Sequence, residues 1–177
     1  QKEFSVAVAI PCFNEAATIA KVVSDFKSAL PAARVCVFDN DSSDDSVARA
    51  REAGAEVFSV RRRGKGNVVR AIFEHLSADA VIMVDGDDTY DAGDAEKLIE
   101  PIRSGAADMV VGNRLPSAGT DSLTSLHRFG NRLIVAAINR MFGSSCHDIL
   151  SGYRVLSRKL MENLPLLASG FETEAEL

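Results

Sequence analysis

The sequence predicts an α/β domain with a mainly parallel central sheet and helices on both of its faces. Short apolar runs rich in β-branched residues alternate with longer segments whose apolar residues recur at helical spacing. The short runs are continuously apolar, as strands covered on both faces must be, and crossover segments of ten or more residues lie between them. No repeat, low-complexity tract or long linker interrupts the alternation, and 177 residues, 46% apolar and 25% charged, suit one domain spanning 1–177.

In chain order, "SVAVAI" (5–10) is the first strand, followed by a helix from about Ala16 to Leu30 carrying Ile19, Val22, Val23, Phe26 and Leu30 on one face. "RVCVF" (34–38) precedes a helix from Asp44 to Ala53, and "EVFSV" (56–60) precedes one from Gly66 to Leu76. "AVIMV" (80–84) precedes a helix from Ala95 to Arg103, with Asp91 as its N-cap and Asp94 in its first turn. "DMVVG" (108–112) is a fifth strand. Beyond residue 120, Leu123, Leu126, Phe129, Leu133, Ala137 and Met141 form one long apolar stripe, read as core, with membrane-surface contact as the alternative.

The net charge of −5 argues against nucleic acid as a partner of the whole surface. Cys12, Cys36 and Cys146 are odd in number and set among apolar residues, which points to reduced, buried thiols in a cytoplasmic protein. No apolar run approaches the roughly 18 residues of a membrane span. Because the sequence opens on Gln1 and stops at "GFETEAEL", a C-terminally truncated piece of a longer chain is expected, with a membrane segment possible in the remainder.

In open parallel sheets ligands bind beyond the carboxyl ends of the strands. Each strand here ends in a polar cluster: "PCFNE", "DNDSSDD", "RRRGKGN", "DGDD" and "GNR". Asp85 and Asp87 directly follow a buried strand, and two carboxylates that close repel unless a cation such as Mg²⁺ or Mn²⁺ lies between them. Tyr90 stands where an EF-hand loop needs glycine, which excludes that calcium site. Asp39 is placed to hydrogen-bond a base or ribose, with a plain turn acid as the alternative. Arg61, Arg62, Arg63 and Lys65 surround Gly64 and Gly66 before a helix, which makes an anion site that is neither a Walker loop nor a GxGxxG. No nucleophile triad or GxSxG is present.

With these clusters in order, the chain resembles the family 2 inverting glycosyltransferases of the GT-A fold, most closely their polyprenyl-phosphate branch, which includes dolichyl-phosphate mannose synthases. The matching segments are "IPCFNEAATI", "VFDNDSSDDS", "RRGKGNVVRA", "DGD", "VVGNRL", "DILSGYRVLSR" and "GFETEAEL". The resemblance implies a hexosyltransferase at the inner face of a membrane, moving sugar from a UDP- or GDP-linked donor to an isoprenoid phosphate. It assigns the donor nucleotide to Pro11, Phe13, Asn14, Glu15, Asp39, Asn40, Lys65, Asp85 and Gly86, and Mg²⁺ or Mn²⁺ to Asp85 and Asp87. Arg114, Arg128 and Arg154 correspond to arginines gripping an acceptor phosphate. For a hydroxyl acceptor in polysaccharide synthesis, Asp148, Glu172 or Glu174 is the candidate base. The chain departs from the family pattern at Asn40 and Asp41, which replace Asp-Gly, and at Asp88 and Thr89, which replace Leu-Gln and leave the third metal ligand between them. Nucleotidyl transfer and a non-catalytic sugar-nucleotide module are the competing classes.

Overall fold

The computed structural model describes residues 3–112 and 151–164. The described strands are β1 (Val6–Cys12), β2 (Arg34–Asp39), β3 (Glu56–Ser59), β4 (Ala80–Met83), β5 (Met109–Val111) and β6 (Arg154–Ser157). The described helices are α1 (Ile19–Ala29), α2 (Ser46–Glu52), α3 (Lys65–His75), α4 (Ala95–Arg103) and α5 (Arg158–Asn163), with a 3-10 turn over Ala92–Asp94 leading into α4.

The strands form one sheet in the order β3-β2-β1-β4-β6-β5. β1 pairs in parallel with β2 and β4, and β2 in parallel with β3. β6 runs antiparallel to both β4 and β5, so the other five strands share one direction. The sequence-predicted strands and helices are all present among the described residues, within two or three residues of their expected ends. β6 is an addition: "RVLS" has only two apolar residues, flanked by Arg154 and Ser157, and is too short to stand out, and its pairing depends on a distant return of the chain.

Both sheet faces are covered, which explains why the strands are continuously apolar. Val8, Ile10, Val37 and Ile82 pack with Ile19, Val23 and Phe26 of α1 and Ile99 of α4 on one side. Ala7, Ala9, Cys36, Phe38 and Val81 pack with Val68, Val69 and Ile72 of α3 on the other. Cys12 and Cys36 are free and buried, and burial pushes their thiols up to about 12 and about 11, so both stay protonated and inert at neutral pH. The parallel strands bring their carboxyl ends to one edge, and because β6 runs the other way, its opening residues Ser151–Arg154 arrive at that same edge. The apolar stripe at 123–141 and Cys146 lie outside the described residues.

Candidate active site

The first two loops are stapled together. Asn14 turns the chain after β1 with φ of 55°, a left-handed conformation that asparagine tolerates better than most residues. Its amide N–H donates to Ser42 Oγ at 2.9 Å, and its Oδ1 accepts the Ser43 N–H at 2.8 Å. Ser46 Oγ and Asp44 Oδ2 accept the N–H groups of Glu15 and Ala16 at 2.8 and 3.1 Å. Asp39, buried at the end of β2, accepts the Ser42 N–H at 3.3 Å.

The basic loop is fixed from below by Asn40. Its carboxamide donates to the carbonyls of Val60 and Arg62, each at 2.9 Å, and accepts the Gly64 N–H at 2.8 Å. Gly64 has φ of 123°, a conformation for which glycine is suited, and Lys65 follows as the first residue of α3. The Asn40 amide is thus committed to backbone, where it shapes the basic loop. Arg63 swings back over the exposed Phe13 ring, 5.1 Å from its centroid, and pairs with Asp41 at 3.1 Å.

Between these loops lies a cleft of about 380 Å³, walled by Pro11, Phe13, Glu15, Asn40, Lys65 and Asp85 among others. At its floor Lys65 Nζ meets Asp85 Oδ1 at 3.1 Å, with both side chains about three-quarters buried. Gly86 sits against α1: its carbonyl accepts from Thr18 Oγ1 at 2.6 Å, and a Cβ on Gly86 would overlap Glu15 Oε2. That oxygen is buried and has no hydrogen-bond partner among the described residues. Burial, reinforced by the charges of Asp87 and Asp85, pushes the Glu15 carboxyl up to about 7.

A carboxyl whose folded-state value lies above its ordinary one stabilises the fold at low pH, and that contribution is lost as pH rises through about 7. Between pH 5.5 and pH 8 the metal-free chain is therefore expected to lose melting temperature in excess of Glu15→Gln, by about 4 °C. Parallel pH dependences of the two proteins would refute this account of Glu15.

Asp87 is exposed and accepts the Thr89 N–H at 3.1 Å. Asp88, at φ of 63°, points to α1 and pairs with Lys21 at 2.7 Å. Asp91 accepts the Gly93 N–H and so caps the 3-10 turn rather than α4 itself, whose N-cap position is held by Asp94, paired with Lys97. Arg154 is buried, donates through Nε to the Ser151 carbonyl at 3.1 Å, and borders a narrow recess shared with Pro11, Lys65 and Asp85.

These residues fit a hard divalent cation. Asp85 offers a carboxylate in the cleft, the exposed Asp87 follows two residues on, and the orphaned Glu15 Oε2 beside Gly86 marks acidity that Lys65 compensates only in part. Among the described residues no three His, Cys, Asp or Glu side chains converge on one point. A magnesium-like ion bound by few carboxylates commonly completes its shell with phosphate oxygens and water.

The edge thus gathers Pro11, Phe13, Asn14, Glu15, Asp39, Asn40, Lys65, Asp85, Gly86, Asp87 and Arg154. Arg114, Arg128, Asp148, Glu172 and Glu174 lie outside the described residues. Thr18 and Arg63 carry structural duties here that no sequence signal announces, because their partners are distant in the chain.

The model of the family described as Glycosyl transferase family 2 matches residues 7–164. The chain belongs to that family. This family 2 domain is 48% identical over 125 residues to Protein RfbJ of Shigella flexneri, an alignment covering 71% of the chain and 97% of RfbJ. It is 40% identical over 174 residues to Glycosyltransferase AglJ of Haloferax volcanii, covering 98% of the chain but 57% of AglJ. To the Dolichyl-phosphate hexose transferase of Haloferax volcanii it is 30% identical over 162 residues, covering 90% of the chain and 69% of that protein. Among solved structures, glucosyl-3-phosphoglycerate synthase from Mycobacterium tuberculosis in complex with Mn²⁺, UDP-glucose and phosphoglyceric acid superposes with a TM-score of 0.77 at 26% identity. That superposition covers 97% of this chain and 62% of the synthase. The domain accordingly has the GT-A-like fold that its motifs imply, and it is a glycosyltransferase domain.

Proposed function

We propose that this family 2 domain transfers a hexose from a UDP- or GDP-linked sugar, with Mg²⁺ or Mn²⁺ at Asp85 and Asp87, to an isoprenoid phosphate at the inner face of a membrane. The observation that carries the reading is the meeting of Lys65 and Asp85 at the floor of the cleft, with α3 opening at Lys65. A nucleoside diphosphate fits that arrangement: its phosphates face a lysine and the N-terminus of an 11-residue helix. The buried Asp39 and exposed Phe13 stand further along the same edge for the nucleoside. The Mn²⁺ and UDP-glucose held by the structural neighbour support the donor and metal assignments.

In the transfer, charge builds on the departing diphosphate. A divalent ion there supplies Lewis-acid stabilisation of that charge. Lys65 is aimed at the same place and is partly withdrawn from water, which strengthens its effect. An isoprenoid phosphate brings its own anionic oxygen as nucleophile, so its attack needs no strong base. Arg114, Arg128 and Arg154 are proposed to hold the acceptor phosphate, and Asp148, Glu172 or Glu174 would serve as base for a hydroxyl acceptor.

The 30% identical dolichyl-phosphate hexose transferase favours the isoprenoid acceptor, while the neighbour's phosphoglyceric acid favours a small anionic one. Both are anions that arginines can grip. No helix among the described residues is long and apolar enough to cross a membrane.

Melting curves with UDP, GDP and CDP, each with and without Mn²⁺, test the donor half of the reading. Metal-dependent stabilisation by one of them is expected, and its absence for all would count against the assignment. A donor screen on the full-length protein with a polyprenyl phosphate in one arm and 3-phosphoglycerate in the other then identifies the acceptor.

A further inference from the structure

The loop that carries the two aspartates is tied to the loop that opens β6. The Gly152 N–H donates to Tyr90 Oη at 2.6 Å. Tyr90 is itself buried, its ring packed against Tyr153 at 5.4 Å, and Tyr153 meets Phe26 of α1 edge-on at 6.0 Å. From the other side Ser151 Oγ donates to the Gly112 carbonyl, and the Gly112 N–H donates to the Tyr153 carbonyl at 2.8 Å. Gly152 is therefore fixed, and it is fixed against Asp85: a Cβ on Gly152 would overlap the Asp85 carboxylate. The Asp85 side chain is confined between the Gly152 backbone and Lys65 Nζ.

We propose that Tyr90 and Gly152 are positioning residues for the metal ligand Asp85. The Tyr90 hydroxyl latches Gly152 in place, and the bare Gly152 backbone sets the one side-chain position from which Asp85 faces the cleft. This inference rests on the proposed metal role of Asp85. A group that orients a ligand typically changes metal affinity by ten- to a hundredfold when removed.

The test is a Mn²⁺ titration by electron paramagnetic resonance on the full chain, with UDP or GDP present, whichever stabilises the wild type. Tyr90→Phe keeps the ring and deletes the latch, and is expected to weaken Mn²⁺ retention on the order of tenfold. Gly152→Ala, which forces Asp85 to move, is expected to weaken it at least as much. The control is Tyr153→Phe: this neighbouring buried hydroxyl has no hydrogen-bond partner among the described residues, so its loss should leave the Mn²⁺ titration unchanged. Wild-type affinity in both Tyr90→Phe and Gly152→Ala would overturn the latch. Equal weakening in Tyr90→Phe and Tyr153→Phe would also overturn it, by showing a general packing effect. Failure of the wild type to retain Mn²⁺ would instead overturn the metal site itself, and the latch with it.

Discussion

Asp87→Ala is expected to lower sugar transfer by about a thousandfold while the metal-free chain keeps its melting temperature within about 2 °C. The two halves of this expectation have separate causes. On the side of the fold, Asp87 is exposed and its side chain accepts the Thr89 N–H within a turn, a contact whose loss costs about 1 kcal/mol. The same change removes a negative charge that raises the Glu15 carboxyl, so relief of repulsion offsets part of that cost. On the side of the reaction, removal of one of two proposed carboxylate ligands withdraws several kcal/mol of charge stabilisation from the departing diphosphate, which is about three orders of magnitude in rate. Turnover with a nucleotide-sugar donor, read beside the melting curve, checks both halves. Near-normal turnover would remove Asp87 from the site; a collapsed melting curve would make it a residue of the fold. The excess pH dependence contributed by Glu15 should also shrink in this variant, because only burial and the charge of Asp85 would then hold its carboxyl up.

The same balance of local and distant causes decides what could be read from the sequence. α4 occupies Ala95–Arg103, the range its pattern predicts, because a strong apolar face is a local signal, whereas the cap expected from Asp91 serves the 3-10 turn before it. β6 escaped because Arg154–Ser157 is a strand only by virtue of lying between β4 and β5, and four residues carry no period of their own. The placement of Asp85 and Asp87 just beyond the buried strand β4 was legible from their spacing. Asn40 was legible as a loop residue, but its commitment to Val60, Arg62 and Gly64 belongs to contacts across twenty residues or more. Gly86 and Gly152 show the limit most clearly. Each is glycine because a carboxylate from elsewhere, Glu15 or Asp85, occupies the space of a side chain. Nothing in the neighbouring sequence specifies that collision.

Lys65→Met is the second change with a large expected effect, a loss of about a hundred- to a thousandfold in turnover with a smaller rise in the donor KM. Lys65 is held at the start of α3 by the Gly64 turn, which Asn40 fixes, so its charge is delivered to the floor of the cleft with little freedom. A cation preset where charge develops contributes more to the transition state than to the bound donor, whose phosphates also meet the helix N-terminus. Its second role appears in the metal-free chain. Lys65 pairs with Asp85 at 3.1 Å and its charge also restrains the rise of the Glu15 carboxyl. Without it Asp85 and Glu15 face each other uncompensated, and Glu15 should titrate still higher. The fold then loses stability chiefly above the titration of Glu15, on the order of 2 kcal/mol at pH 8 and much less at pH 5, where Glu15 is protonated. Lys65→Arg separates the two roles: the retained charge should restore melting at pH 8, whereas a planar guanidinium in place of a compact ammonium should recover only part of the rate. Full activity in Lys65→Met would mean that the departing group is stabilised elsewhere, and equal melting losses at pH 5 and pH 8 would mean that Lys65 serves the fold by packing and not by charge.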